Sequence, residues 1–102
     1  MVVGKIAEVG IDQGGKLYVR PSGHAFPYIY RAAMEVGWDP SRGVLFAPKP
    51  REWPYLDWFR QIVAAAASEY GVRLRIDATT VWTDIPDPLR TQIETGQAGV
   101  SQ

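Results

Sequence analysis

Residues 54–70 constrain the chain most. Tyr55, Trp58, Phe59, Ile62, Ala66 and Tyr70 recur at three- and four-residue steps, which places them on one face of an α-helix. Pro54 suits the first helical position, where its missing N–H is not needed. Asp57 falls in the first turn, where a carboxylate complements the helix dipole. Gly71 fits the left-handed residue that closes a helix. The run Ala64–Ala67 is strongly helix-forming and small enough to let another element approach closely. One long helix with one apolar face requires a layer to pack against.

Strand patterns supply that layer. Residues 2–12 alternate loosely, and residues 16–20 follow after Gly14-Gly15, which reads as a hairpin turned at glycines that accept positive φ. Residues 25–31 are expected to be loop with a short helical turn at Pro27. From Ala32 the pattern turns to period two, with Ala32, Met34, Val36 and Trp38 on one face. A Pro40–Gly43 turn and a return strand from Val44 to Ala47 complete a second expected hairpin. Pro48, Pro50 and Pro54 bracket a linker that cannot enter a sheet interior. Val72, Leu74 and Ile76 alternate with Arg73 and Arg75 as a further strand, and residues 79–82 extend the sheet after a bend. Asp87 is the expected N-cap of a short helix from Leu89 to about Glu94. The predicted fold is α+β: an antiparallel sheet of two hairpins plus one or two further strands, with the long helix (about 54–70) and a short C-terminal helix packed on it. Residues 1–95 are expected to form a single domain and 96–102 a flexible tail.

Composition fits one domain. The chain has 102 residues, 46% apolar and 22% charged, which is globular rather than disordered composition. Eleven basic residues balance eleven acidic ones, so no net field draws it to nucleic acid or anionic lipid, and nucleic-acid binding is not expected. Eight of the eleven cations are Arg, whose planar fork suits carboxylates, phosphates and aromatic faces. With no Cys, disulfides, thiolate nucleophiles and Cys-based metal sites are excluded. The start lacks a signal-peptide pattern, and no run approaches the ~18 apolar residues that cross a bilayer. Cytoplasmic residence and no membrane association are expected.

Signatures of known chemistry are scarce. His24 is the sole histidine, set in a turn with no partner at a revealing spacing. It is the one weak catalytic candidate, against its reading as a loop residue. No metal site, nucleotide-binding glycine motif or nucleophile elbow is present, so no cofactor is expected. The most distinctive segment is 48–60, which interleaves Trp53, Tyr55, Trp58 and Phe59 with Lys49, Arg51 and Arg60. Aromatic faces beside Arg bind rings and anions; the competing reading makes Trp58 and Phe59 core and Trp53 a staple at the helix entrance. Candidate ligand-binding residues are Arg31, Arg51, Trp53 and Tyr55, for a small anionic or aromatic ligand.

The stretch Ile29-Tyr30-Arg31-Ala32-Ala33-Met34-Glu35-Val36-Gly37-Trp38-Asp39, then Pro48-Lys49-Pro50-Arg51-Glu52-Trp53 and Trp58-Phe59-Arg60-Gln61-Ile62, resembles small proteins encoded on integron gene cassettes. The resemblance covers roughly residues 17–95. It implies a bacterial, mobile-element origin and an accessory role, with function largely unknown and no active-site residues to carry over.

Two functional classes remain open. The leading one is a non-catalytic interaction or small-ligand-binding protein acting as a homo-oligomer, a dimer or a pair of dimers. Its basis is that one helix of ~10 Å diameter covers only two or three strands spaced ~4.8 Å apart. Tyr18, Phe26, Tyr28, Tyr30 and Phe46 are the expected contact residues. The alternative is a small enzyme acting on an anionic metabolite anchored by Arg.

Overall fold

Glycine and aspartate turns shape the first half of the protein. In the computed structural model, which describes residues 2–51 and 53–100 and side chains as far as 97, β1 (Val2–Ile11) pairs antiparallel with β2 (Leu17–Pro21). Between them the Asp12 carboxylate accepts the backbone N–H of Gly14 and of Lys16, both at 2.9 Å, and Gly15 takes φ +82°. The second hairpin repeats the device. Asp39 Oδ1 accepts from Ser41 N at 3.0 Å and Ser41 Oγ at 2.8 Å, and Gly43 sits at φ +68° between β3 (Gly37–Asp39) and β4 (Val44–Phe46).

The second hairpin is shorter than expected. Residues 32–36 form turns, not strand, after a 3-10 turn at Ile29–Arg31. Ala33 N–H donates to the Ile29 carbonyl and Val36 N–H to the Ala33 carbonyl, so burial falls on Ala33 and Val36, three apart, while Met34 is 93% exposed. The period-two reading failed because alanines and a glycine carry little information about facing. The fully buried Phe26 and Ile29 anchor this segment instead, Phe26 packing edge-on to Tyr70 (4.9 Å between ring centres) and Trp38 (5.8 Å).

Helix α1 (Tyr55–Tyr70) buries Trp58, Phe59, Ile62, Ala65 and Ala66. Pro54 sits just outside it, and Gly71 (φ +66°) closes it. The helix returns the chain to the end of the sheet where β1 starts, and Val2 N–H donates to the Gly71 carbonyl at 3.0 Å. The next strand, β5 (Val72–Arg75), must therefore run parallel to β1. β6 (Val81–Thr83) continues along the same edge, also parallel. The sheet is thus mixed: β3-β4-β2-β1 antiparallel, with β5 and β6 end to end beside β1. At their junction β1 slips register between Ile6 and Glu8, and the Ile6 carbonyl accepts from the buried Thr80 hydroxyl at 2.7 Å.

Helix α2 (Asp87–Val100) is longer than the expected 89–94 segment. It runs on through residues 96–100 of the expected tail, while 101–102 lie outside the described residues. The physical reason lies in Gln97. Its amide oxygen accepts from Ile76 N at 2.7 Å and its amide nitrogen donates to the Leu74 carbonyl at 3.1 Å, so one side chain pairs with the β5 edge as a strand would. Leu89 and Ile93 bury against the core. Among the described residues no helix is long and apolar enough to cross a membrane.

Candidate functional site

The mixed sheet has two faces, and register assigns residues to them, since directly paired residues project to the same side. Val9, Val19 and Leu45 pair in one row and bury against α1. The opposite face carries the row Thr83–Gly10–Tyr18–Phe46–Gly37, with Val81, Glu8 and Arg20 in the next. There the Glu8 carboxylate accepts from Tyr18 Oη at 2.7 Å and Thr83 Oγ1 at 2.5 Å and pairs with the Arg20 guanidinium. Burial alone would raise the Glu8 pKa; the Thr83 and Tyr18 hydrogen bonds and the nearby Arg20 and Arg42 outweigh it and hold the carboxyl below its ordinary range. Burial, then the bond to Glu8, raises the Tyr18 hydroxyl. Both Glu8 carboxylate oxygens are engaged, and the group ties β1 to β2 and β6. Nothing in the sequence pattern marked Glu8 or Thr83, because the pairing that joins them spans 75 residues.

The sequence-predicted site residues divide. His24 is half-buried near Phe26, with ring centres 6.1 Å apart, and makes no hydrogen bond or ion pair to another described residue. Arg31 lies exposed, its guanidinium 5.1 Å from the Tyr28 ring centre and 4.0 Å from Glu69. Tyr55 spends its hydroxyl on the Gly15 carbonyl at 2.8 Å, tying the start of α1 to the first hairpin turn. Arg51 and Trp53 come together. Both line a cavity of about 520 Å³ with Glu35, Pro48, Lys49 and Trp58.

The linker prolines and α1 create this cavity. Pro48 and Pro50 keep residues 48–51 out of the sheet, and α1 then presents Trp58 one turn in. Trp53, 44% exposed, packs on Trp58 with ring centres 4.9 Å apart. Trp58 is 8% exposed, and its buried indole N–H has no acceptor among the described residues. Trp58 and Phe59 belong to the core and Trp53 packs at the helix entrance as a staple does, while the same indoles wall a cavity. Glu35 was missed, since its period-two placement put it on a strand that does not form. Among the described residues no cluster of three or more His, Asp or Glu could hold a metal ion.

Comparison with known proteins agrees with the sequence resemblance. No curated protein matches. One solved structure, from the mobile metagenome of the North West Arm Sewage Outfall, holds Integron Cassette Protein Hfx_Cass5. It is 44% identical over 96% of this chain and 98% of its own, with a TM-score of 0.48. The family model for Integron Cassette Protein Hfx_Cass5 matches residues 4–80, and on that match the chain belongs to the Hfx_Cass5 family of integron cassette proteins.

Proposed function

We propose that this cassette protein is a non-catalytic binding module that holds a small aromatic anion in the Trp53–Trp58 cavity. The observation that carries the reading is convergence: Lys49 and Arg51 share one cavity of ligand size with a pair of indoles packed at a tilt. An aromatic ring has a face to stack on at Trp53, and its carboxylate has two cations to meet. Glu35 on the same wall accepts a hydroxyl or amino donor, so a ring bearing both an acid and a donor fits best. Among the described residues Glu35 is the only carboxylate lining the cavity and His24 does not line it, which favours binding over an Arg-anchored enzyme.

Thermal shift and Trp fluorescence with 4-hydroxybenzoate, benzoate and benzylamine test this. The hydroxy acid should raise the melting temperature and perturb fluorescence, benzoate less and the amine not at all, because only a native-state ligand stabilises. Arg51→Glu should remove the response. A response that survives Arg51→Glu, or none to either acid, would refute the reading. We propose further that the protein acts as a homo-oligomer through the exposed Tyr28 and Tyr30, since Phe26 and Tyr18 of the expected contact residues are buried within the chain. Light scattering after size exclusion checks it, and a single-chain mass across a hundredfold dilution would remove it.

A further inference from the structure

Helix α1 carries a second set of apolar positions beside its core stripe. Leu56, Val63 and Ala67 recur at helical spacing on the flank turned towards α2, and Ala64 and Gly96 are too small to fill the space between the helices. The result is a groove of about 430 Å³ floored by Phe59, Leu74 and Ile93, all buried, and it shares no residue with the Trp53–Trp58 cavity.

Its polar lining has one dominant sign. Arg60, Arg73 and Arg75 all border it, with Gln92 and Gln97. Asp57 answers Arg60 loosely at 3.9 Å, and Arg75 donates to the Gln97 carbonyl at 3.0 Å, a neutral partner. The Arg73 side chain makes no ion pair or hydrogen bond with a described residue, while its backbone sits in the ladder beside Val3 of β1. Two arginines thus border an apolar groove without a carboxylate partner among the described residues. Arginines kept only for surface solubility have no reason to ring an apolar trough, whereas an anionic head beside an apolar tail satisfies both components.

We infer that the groove between α1, β5 and α2 binds a single-chain amphiphile with an anionic head group, its aliphatic tail along Leu56, Phe59, Val63 and Ile93 and its head at Arg73 and Arg75. This site goes beyond the proposed function, which concerns the other cavity and a different ligand class.

The test is calorimetric titration of the full chain with sodium decanoate below its micellar concentration, beside decyltrimethylammonium, which has the same tail and the opposite charge. Decanoate should bind once per chain and the ammonium at least about tenfold more weakly. Arg73→Glu, at an exposed position, should weaken decanoate about tenfold while the far-ultraviolet spectrum stays unchanged. Ala64→Trp, also exposed, should block the groove and abolish binding. Saturating 4-hydroxybenzoate should leave the decanoate titration unaltered, because the two cavities are separate. Equal binding of both amphiphiles, or undiminished binding to Arg73→Glu and Ala64→Trp, would overturn the site. So would no decanoate binding, including the case where sedimentation places a second copy over the groove.

Discussion

The two faces of the sheet solve the same problem in different ways. The inner face is covered by other elements: α1 lies over Val9, Val19 and Leu45, and Phe26 and Ile29 fold the 25–36 segment over the ground beyond the helix. The outer face is covered by its own side chains. Tyr18 lies over Gly10 and Phe46 over Gly37, so closely that a Cβ built on either glycine would stand 2.3 Å and 2.5 Å from the ring. Cations then stack on the rings, Arg42 4.8 Å from the Tyr18 ring centre and Lys16 5.6 Å from that of Phe46. A glycine in a strand interior therefore marks close approach here, and an aromatic across the ladder fills the space it leaves. Covering an apolar face needs neither a helix nor a second subunit where strands carry Gly–aromatic pairs.

The sharpest way to break this comparison is Phe26→Ala. If the 25–36 segment truly roofs the inner face, urea melts should show a loss of about 3–5 kcal/mol. A loss below about 1 kcal/mol would reduce that segment to surface loop. Gly10→Ala attacks the outer face and should cost about 1–3 kcal/mol by overpacking. Tyr18 cannot swing away without breaking its bond to Glu8. Adding Tyr18→Ala should make the pair of changes less than additive, and strict additivity would deny the contact.

Gln97→Ala should cost about 1–2 kcal/mol, since it leaves Ile76 N and the Leu74 carbonyl without partners on the β5 edge. Hydrogen exchange at Ile76 would report it, and unchanged protection there would contradict the edge pairing. The smallest effect is Glu8→Gln, less than about 1 kcal/mol at neutral pH. Because folding lowers the Glu8 pKa, its contribution is present above the ordinary value of 4.5 and lost as pH falls through the folded value. The gap in melting temperature between wild type and Glu8→Gln should therefore close on acidification; a gap that stays constant to pH ~3 would rule out the ion-pair network.

Local chemistry was legible wherever it was sufficient. The Pro54–Gly71 bracket, the apolar spacing of α1, both glycine-closed hairpin turns and the Arg-alternating strand of β5 follow from backbone preference and periodicity within short windows. The joining of Arg51 and Trp53 was half legible, because the segment carries both and its prolines exclude it from the sheet. Glu35 was not, since its neighbours Ala33 and Gly37 fit turn and strand alike.

By itself, then, the sequence determined an α+β chain, one long helix, two hairpins and a segment crowded with aromatics and arginines. Only the tertiary structure decided that the last strands run parallel, which depends on where α1 delivers the chain relative to Val2. It alone brought Thr83 to Glu8, set Tyr18 over Gly10 and made Gln97 a substitute strand. Those decisions rest on contacts between distant residues, whose energies depend on three-dimensional proximity that no local pattern encodes.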